Sequence, residues 1–239
     1  MRVHVINRDH HTDRWVRCER LNGGVVDLVR FPAIDGRTVD RADLITQGFL
    51  IEPCSRTDEA IGNSLSHCAL WQQAIDSDET LTVIEDDTVL AGNFAAVARR
   101  MFSELPTDWD IIMWGWDPSE HLWAEIPEGV SVCRLEFNRA EMRRHIEMFR
   151  AGCQSHTAVR LRHCMGTPAY TITPAGARTM LDACLPMTDR EVAFSCGGAV
   201  VNNPMIDADM NRVFPVKGSY ACLPPVALRE GERNRLPLR

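Results

Sequence analysis

The sequence alternates between short runs of strand-forming residues and longer segments whose apolar residues recur at helical spacing, and this alternation limits the possible folds most strongly. It predicts strands over residues 2–6, 25–34, 80–84, 110–114 and 167–173. It predicts helices from an N-cap at Thr12 to Gly23, over residues 59–76, from an N-cap at Asn93 to Leu105, and from Pro174 to Leu185 with Thr173 as N-cap. Strands that alternate with helices form parallel sheets covered by helices. We therefore predict an α/β fold of Rossmann type, with a mostly parallel sheet and helices on both faces.

Composition restricts the class of protein further. The 239 residues are 45% hydrophobic, enough for one large globular domain. The net charge of −7 does not favour a nucleic-acid-binding protein, and an acidic protein that handles phosphates needs a cation or a local basic patch. Nine cysteines without CxxC spacing, and no secretory signal, indicate reduced thiols in the cytoplasm. No apolar run approaches the ~20 residues that span a bilayer, so we expect no transmembrane segment.

Two regions depart from the alternation. Residues 137–163 are rich in arginine and histidine with little apolar periodicity, which fits either a solvated helical excursion or a mobile basic insert near an anionic ligand. Residues 226–239 end in the polar run REGERNRLPLR, to which we assign a surface tail and no chemistry. We expect one domain over residues 1–225, which includes the basic insert.

Three carboxylates, Glu85, Asp86 and Asp87, directly follow the apolar strand in the run TLTVIEDDTVL. Such residues are seldom buried unless they are paired or bind a metal ion. Open parallel sheets bind ligands at the carboxyl ends of their strands, and carboxylate oxygens suit Mg²⁺ or Mn²⁺. A divalent cation is one interpretation of this cluster, and a solvated turn or a helix N-cap is the other.

Five sequence blocks occur in a fixed order: VINRDHHTDRW, RFPAIDGR, IGNSLSHCALW, VIEDD and GTPAYTITPAGARTML. In this order they resemble glycosyltransferase family 25, the lipooligosaccharide galactosyltransferase family, from Val5 to about Pro225. Asn63 and Pro168 depart from it, since members often have Cys and His there. The resemblance implies a GT-A-like fold and an inverting, metal-dependent enzyme that moves galactose or glucose from a UDP-sugar to a glycan acceptor such as lipooligosaccharide.

The resemblance also implies roles for individual residues. Asp86 and Asp87 would bind Mn²⁺ or Mg²⁺. The residues expected to contact the UDP-sugar donor are Asn7, Arg14, Asp35, Gly36, Ser66, His67, Glu85, Gly166, Thr167 and Tyr170. For His67 a buried core histidine is the alternative, and for Arg14 a surface salt bridge. Trp116 and Trp123 are candidates for an aromatic platform under the acceptor sugar, and the basic insert of residues 137–163 would lie on the acceptor side.

Inversion in a single displacement needs a carboxylate that takes the proton of the acceptor hydroxyl, so the base cannot be a metal ligand. Asp207 and Asp209, in NNPMIDADM, match a late block of the family that begins at Pro204. Their i, i+2 spacing would direct both side chains to the same face of an extended segment. On a helix the two side chains would diverge, and either could act as a cap. We predict Asp207, or else Asp209, as the base, and Asp117 after them.

The expected partners are a UDP-sugar and a glycan or glycolipid acceptor, without nucleic acid. The expected location is the cytoplasm, or the inner face of the membrane as a peripheral protein. Two other classes fit the same residues: a nucleotide-sugar-binding module without turnover, and a metal-dependent phosphoryl-transfer enzyme. Against the second, the sequence contains no GxxxxGK[ST] loop.

Overall fold

The computed structural model describes residues 1–117, 121–152, 155–194, 200–202 and 205–230. Within them the strands are β1 (Arg2–Asn7), β2 (Asp27–Pro32), β3 (Leu81–Glu85), β4 (Thr88–Leu90), β5 (Ile111–Gly115), β6 (Leu122–Glu125), β7 (Val132–Leu135), β8 (Thr157–His163), β9 (Ala169–Ile172), β10 (Glu191–Ala193), β11 (Val200–Asn202), β12 (Ser219–Leu223) and β13 (Ala227–Arg229). The helices are α1 (Thr12–Asn22), α2 (Arg41–Thr46), α3 (Asp58–Ser77), α4 (Phe94–Glu104), α5 (Arg139–Arg144), α6 (Ile146–Ala151), α7 (Pro174–Cys184) and α8 (Ile206–Met210).

Nine strands form one sheet in the order β2-β1-β3-β9-β5-β12-β8-β6-β7. The strands β2, β1 and β3 pair in parallel, as do β5 and β12. Strand β9 lies antiparallel between β3 and β5, and β12, β8, β6 and β7 pair antiparallel in turn. The α/β, Rossmann-like class is confirmed, with the predicted parallel pairing concentrated in the N-terminal strands. Apart from the β5–β12 pair, the other pairings of this sheet are antiparallel, and between β6 and β7 the short connection can only reverse the chain.

Helices cover both faces of the sheet, as predicted. On one face, α3, α7 and α8 bury residues such as Trp71 and Met180 against the sheet. On the other face, α1 and α4 contribute Cys18, Phe94 and Met101 to a second apolar layer. The sheet is therefore packed between two separate apolar layers. Among the described residues, no helix combines the length and the apolar composition that crossing a bilayer requires.

The helix starts show how well local signals predicted the elements. The hydroxyl of Thr173 accepts a hydrogen bond from the Gly176 N–H at 3.1 Å, and Pro174 opens α7, so this cap is confirmed. Helix α1 already includes Thr12, and His11 takes the N-cap position, so the predicted cap was displaced by one residue. Helix boundaries commonly differ by a residue in this way.

Residues 137–163 do not form a single excursion from the fold. They contain α5 and α6 and then β8, which is a strand of the main sheet between β12 and β6. Along β8, Val159, Leu161 and His163 are buried, whereas Arg160 and Arg162 are partly exposed. The two-residue period was hidden because arginine and histidine occupy positions on both sides of the strand.

The predicted polar tail also begins later than expected. Val226, Ala227 and Leu228 are buried, and β13 pairs antiparallel with β4. Residues 226–230 are therefore part of the fold. The rest of the predicted tail, residues 231–239, lies outside the described residues.

Candidate functional site

The acidic cluster lies where two parallel strands end at the same edge of the sheet. Strand β3 is buried through Ile84 and then places Glu85 beside Ile6 of β1. At the end of β1, the side-chain amide of Asn7 donates a hydrogen bond of 2.7 Å to Asp86 Oδ2. The structure thus brings two predicted donor-site segments together at the carboxyl ends of their strands, where α/β sheets bind ligands.

Two arginines contact these carboxylates. Arg14, from the first turn of α1, lies 2.6 Å from Asp86 Oδ1 and 3.3 Å from Asp87 Oδ2. Arg229, at the end of β13, forms an ion pair with Glu85, and its Nε lies 3.6 Å from Asp87 Oδ1. Three carboxylates therefore meet two guanidinium groups, and the cluster keeps an excess of negative charge.

The pKa shifts show which carboxylates are poorly compensated. Burial raises the pKa of Asp86 above its usual value. Burial, with the charge of Glu85, raises the pKa of Asp87 to about 6. Burial acts in the same direction on Glu85, but the charge of Arg229 and the hydrogen bond from the Thr167 hydroxyl outweigh it and lower the pKa of Glu85. Further positive charge near Asp86 and Asp87 would stabilise both as carboxylates.

The described residues could hold a divalent cation only if other ligands completed its coordination shell. Within the described ranges, no group of three or more His, Cys, Asp or Glu residues is arranged to hold a metal ion. Asp87 Oδ1, however, is buried and accepts no hydrogen bond from the described residues. Mg²⁺ and similar ions are commonly held by one or two carboxylates with substrate phosphates and water completing the shell. Asp86 and Asp87 suit that mode, and they do not form an all-protein cage.

The loop between β8 and β9 brings further site residues to the cluster. The hydroxyl of Thr167 donates a hydrogen bond of 2.7 Å to Glu85 Oε1. Gly166 has a φ of +84°, and a Cβ there would lie 2.9 Å from the backbone nitrogen of Asp117, so both conformation and space require glycine. The Gly166 N–H donates a hydrogen bond of 2.7 Å to Asp207 Oδ2. This loop therefore connects the acidic strand end to the predicted base.

Asp207 and Asp209 are separated by the helix that carries them. Half-buried Asp207 is held by the N–H groups of Gly166 and Ala208, and burial raises its pKa. The side chain of Asp209 is fully buried and pairs with Arg56, itself fully buried. The structure does not support Asp209 as a base, because an acceptor hydroxyl cannot reach it. Pro204, which begins the matching block, lies outside the described residues.

His67 and Tyr170 belong to the core under the site. The Tyr170 hydroxyl lies 2.8 Å from His67 Nδ1 and accepts a hydrogen bond of 3.0 Å from Trp71 Nε1. Burial lowers the pKa of His67 to about 4, so the ring is neutral. The alternative of a buried core histidine describes His67 correctly, although a tyrosine hydroxyl and not the backbone is its partner. Neither side chain is exposed for direct contact with a donor.

The second and third sequence blocks meet beside the cluster. Gly36 packs on α3, where a Cβ would overlap the backbone of Asp58 and Gly62, so this glycine allows close helix packing. Asp35 pairs with its neighbour Arg37 at 2.7 Å, outside the acidic cluster. The Ser66 hydroxyl accepts a hydrogen bond from the Ile34 N–H at 2.9 Å.

A cleft of about 120 Å³ separates the β1 end from α1 and α3. It is lined by Ile6, Arg8, His11, Arg14, Ala33, Ile34, Asn63, Ser66, Glu85 and Asp86. Sites that enclose a whole drug-sized ligand have volumes of about 300–1,000 Å³, so this cleft can enclose only part of a nucleotide sugar.

The two tryptophans predicted as an acceptor platform are buried. Trp116 is 2% exposed and packs edge-on against Phe137 at a ring distance of 5.4 Å. Trp123 is 8% exposed and packs against Phe194 at 5.2 Å. Neither ring offers an open face for stacking on a sugar, so this prediction is corrected: both residues are packing residues.

Arg229 was not predicted as a site residue, because the sequence places it at the start of the polar run REGERNRLPLR. The usable signal was the short apolar run Val226–Ala227–Leu228, which reads as a strand and is buried in the structure. Once that strand pairs with β4, Arg229 lies opposite Thr88, next to the acidic turn.

The structure thus combines an α/β sheet with a carboxylate cluster, flanked by arginines, at the edge where open α/β sheets bind ligands. The sequence model of glycosyltransferase family 25 (LPS biosynthesis protein) matches residues 1–194 of the chain. The chain therefore belongs to glycosyltransferase family 25, as its sequence blocks predicted, and this supports a glycosyltransferase role in LPS biosynthesis. No curated protein is significantly similar to the chain. Asp207 and Arg229 lie beyond the matched residues.

Proposed function

We propose that the protein is an inverting glycosyltransferase with a GT-A-like fold, which moves galactose or glucose from a UDP-sugar to a glycan or glycolipid acceptor. The observation that carries this proposal is the strand-end cluster of Glu85, Asp86 and Asp87, with one buried carboxylate oxygen of Asp87 that accepts no hydrogen bond from the described residues. We expect the protein to act in the cytoplasm or at the inner face of the membrane.

Asp86 and Asp87 would hold Mn²⁺ or Mg²⁺, which, when bound, neutralises charge on the leaving diphosphate and contributes several kcal/mol to transition-state stabilisation. The protein itself orients these ligands. The Asn7 amide fixes Asp86 Oδ2, and Arg14 contacts both carboxylates from the side of α1. The adjoining cleft supports this placement, since it is large enough for part of the nucleotide and is lined by Arg14 and Asp86.

Asp207 is the proposed base. As the acceptor oxygen forms its bond to the sugar carbon, the bond from that carbon to the UDP oxygen breaks, and the hydroxyl proton moves to a carboxylate oxygen of Asp207. Two backbone N–H groups hold the Asp207 carboxylate in place, and burial raises its pKa towards the range in which a base accepts a proton readily. Asp117, whose backbone nitrogen lies next to Gly166, is the alternative.

A UDP-release assay tests this proposal. The protein would be incubated with UDP-galactose or UDP-glucose and a lipooligosaccharide acceptor, each with and without manganese. We expect UDP release that needs both acceptor and metal. Binding of a UDP-sugar without release over a broad acceptor panel would instead identify a binding module, and release without any metal would exclude the proposed role of Asp86 and Asp87.

A further inference from the structure

Residues 227–230, here called the C-terminal strap, are attached to the acidic turn at several points. Strand β13 pairs with β4, which directly follows Asp87. The Glu230 N–H donates a hydrogen bond of 2.8 Å to the Asp87 carbonyl oxygen. The Glu230 carboxylate forms an ion pair with Arg17 of α1. The strap therefore holds the residue between these contacts, Arg229, in a defined position over the carboxylates.

The guanidinium of Arg229 is only partly used by these contacts. It pairs with Glu85, and its Nε lies 3.6 Å from Asp87 Oδ1, beyond hydrogen-bond distance. This Nε is buried, and no acceptor among the described residues bonds to it. The side chain as a whole is 28% exposed, so Arg229 is not sealed in the core.

Arg229 is also near the carboxylate proposed as the base. Asp117 and Asp207 are close enough to act electrostatically on Arg229, as Glu85 and Asp87 do. Arg229 is thus near both the cluster that would hold the diphosphate and the carboxylates proposed to face the acceptor. Arg14 contacts Asp86 and Asp87 from the side of α1.

A diphosphate bound at this edge meets an excess of carboxylates, so each nearby cation matters. Arginine presents N–H donors in a planar fork that matches two phosphate oxygens, and such charge-assisted bonds are about twice as strong as neutral ones. We propose that Arg229 is a donor-binding residue: it compensates Glu85 and Asp87 in the free protein and contacts the diphosphate of the bound nucleotide. This assignment rests on the proposed function.

The test measures UDP affinity by calorimetry in saturating manganese, and manganese affinity alone, for the parent protein, Arg229→Gln and Arg229→Lys. We expect Arg229→Gln to weaken UDP binding about ten- to a hundredfold, as for a lost hydrogen-bonded charge. Manganese affinity should stay equal or rise, because the cation near Asp87 is gone. Arg20→Gln, at an exposed arginine of α1, is the matched control and should bind UDP like the parent.

Arg229→Lys keeps the charge but not the fork, so it should fold like the parent and weaken UDP binding about three- to tenfold. If Arg229→Gln does not fold, the UDP affinity of Arg229→Lys tests the proposal instead. Parent-like UDP affinity in a folded Arg229 variant overturns the assignment, and so does a matching loss of manganese affinity, which would place the effect in the metal site. If the parent protein itself does not bind UDP, the proposed function fails, and the role of Arg229 fails with it.

Discussion

The buried ion pair between Arg56 and Asp209 allows a quantitative prediction. Both side chains have no exposed surface, and Arg56 also donates a hydrogen bond of 3.0 Å to the Ser64 hydroxyl. Arg190 lies 3.7 Å from the second carboxylate oxygen of Asp209 and is 20% exposed. Asp209 therefore compensates one fully buried cation and one partly exposed cation.

The perturbation is Asp209→Asn, which keeps the size of the side chain and removes its charge. The change leaves buried Arg56 without a counter-charge, and breaking a buried pair in this way costs about 3–5 kcal/mol of unfolding free energy. For a chain of this size each kcal/mol lowers Tm by roughly 2–4 °C, so Tm should fall by roughly 6–20 °C. Arg56→Met should cost less, because Arg190 still compensates Asp209.

The assay is urea unfolding, with thermal unfolding as a second measurement. The double variant Arg56→Met with Asp209→Leu should recover most of the loss, since replacing a whole buried pair by apolar side chains is often neutral or stabilising. Arg37→Gln is the control, because its pair with Asp35 is on the surface and its loss should leave the free energy of unfolding nearly unchanged.

Two results would refute this reasoning. Unfolding of Asp209→Asn within about 1 kcal/mol of the parent would show that the pair does not stabilise the fold. A stable Asp209→Asn protein that binds UDP but transfers no sugar would return Asp209 to the role of base, against its burial in the structure.

Four other outcomes are expected. Asp87→Asn should abolish UDP binding that depends on manganese and leave Tm nearly unchanged, and calorimetry showing parent affinity in manganese would contradict it. Asp207→Asn should lower turnover ~100-fold or more while UDP still binds, and transfer at the parent rate would move attention to Asp117. Arg14→Ala should weaken UDP binding while Tm changes little, since the side chain is partly exposed beside the cleft. Unchanged UDP affinity would show that Arg14 only forms ion pairs with Asp86 and Asp87. Acid should destabilise the protein through His67, because its folded pKa of about 4 lies below its unfolded value and the unfolded state therefore binds the proton first. The free energy of unfolding should be unaffected by this group above pH ~6.5 and should fall by about 2 kcal/mol on going to pH ~5. Urea unfolding of His67→Asn should show a correspondingly smaller pH dependence, and a slope equal to that of the parent would show that His67 does not titrate as its burial implies.

Local elements were predictable because their signals lie within a few residues. The Thr173 cap and Pro174 define the start of α7 by themselves, and the apolar period of residues 59–76 is that of α3. The acidic cluster was also visible, since three carboxylates after an apolar strand need a partner wherever the strand lies. The ordered sequence blocks then identified the family, which the match over residues 1–194 confirmed.

The partners of these charges were decided by the tertiary structure. Arg56 and Asp209 are 153 residues apart, and Arg229 and Glu85 are 144 apart, so no local pattern indicates either pair. The two aspartates of NNPMIDADM look equivalent in sequence, but α8 directs Asp207 to the site and Asp209 to the core. Which charge is buried and which cation compensates it depends on strands and helices that meet only when the sheet is assembled, because burial and ion pairing are properties of neighbours in space.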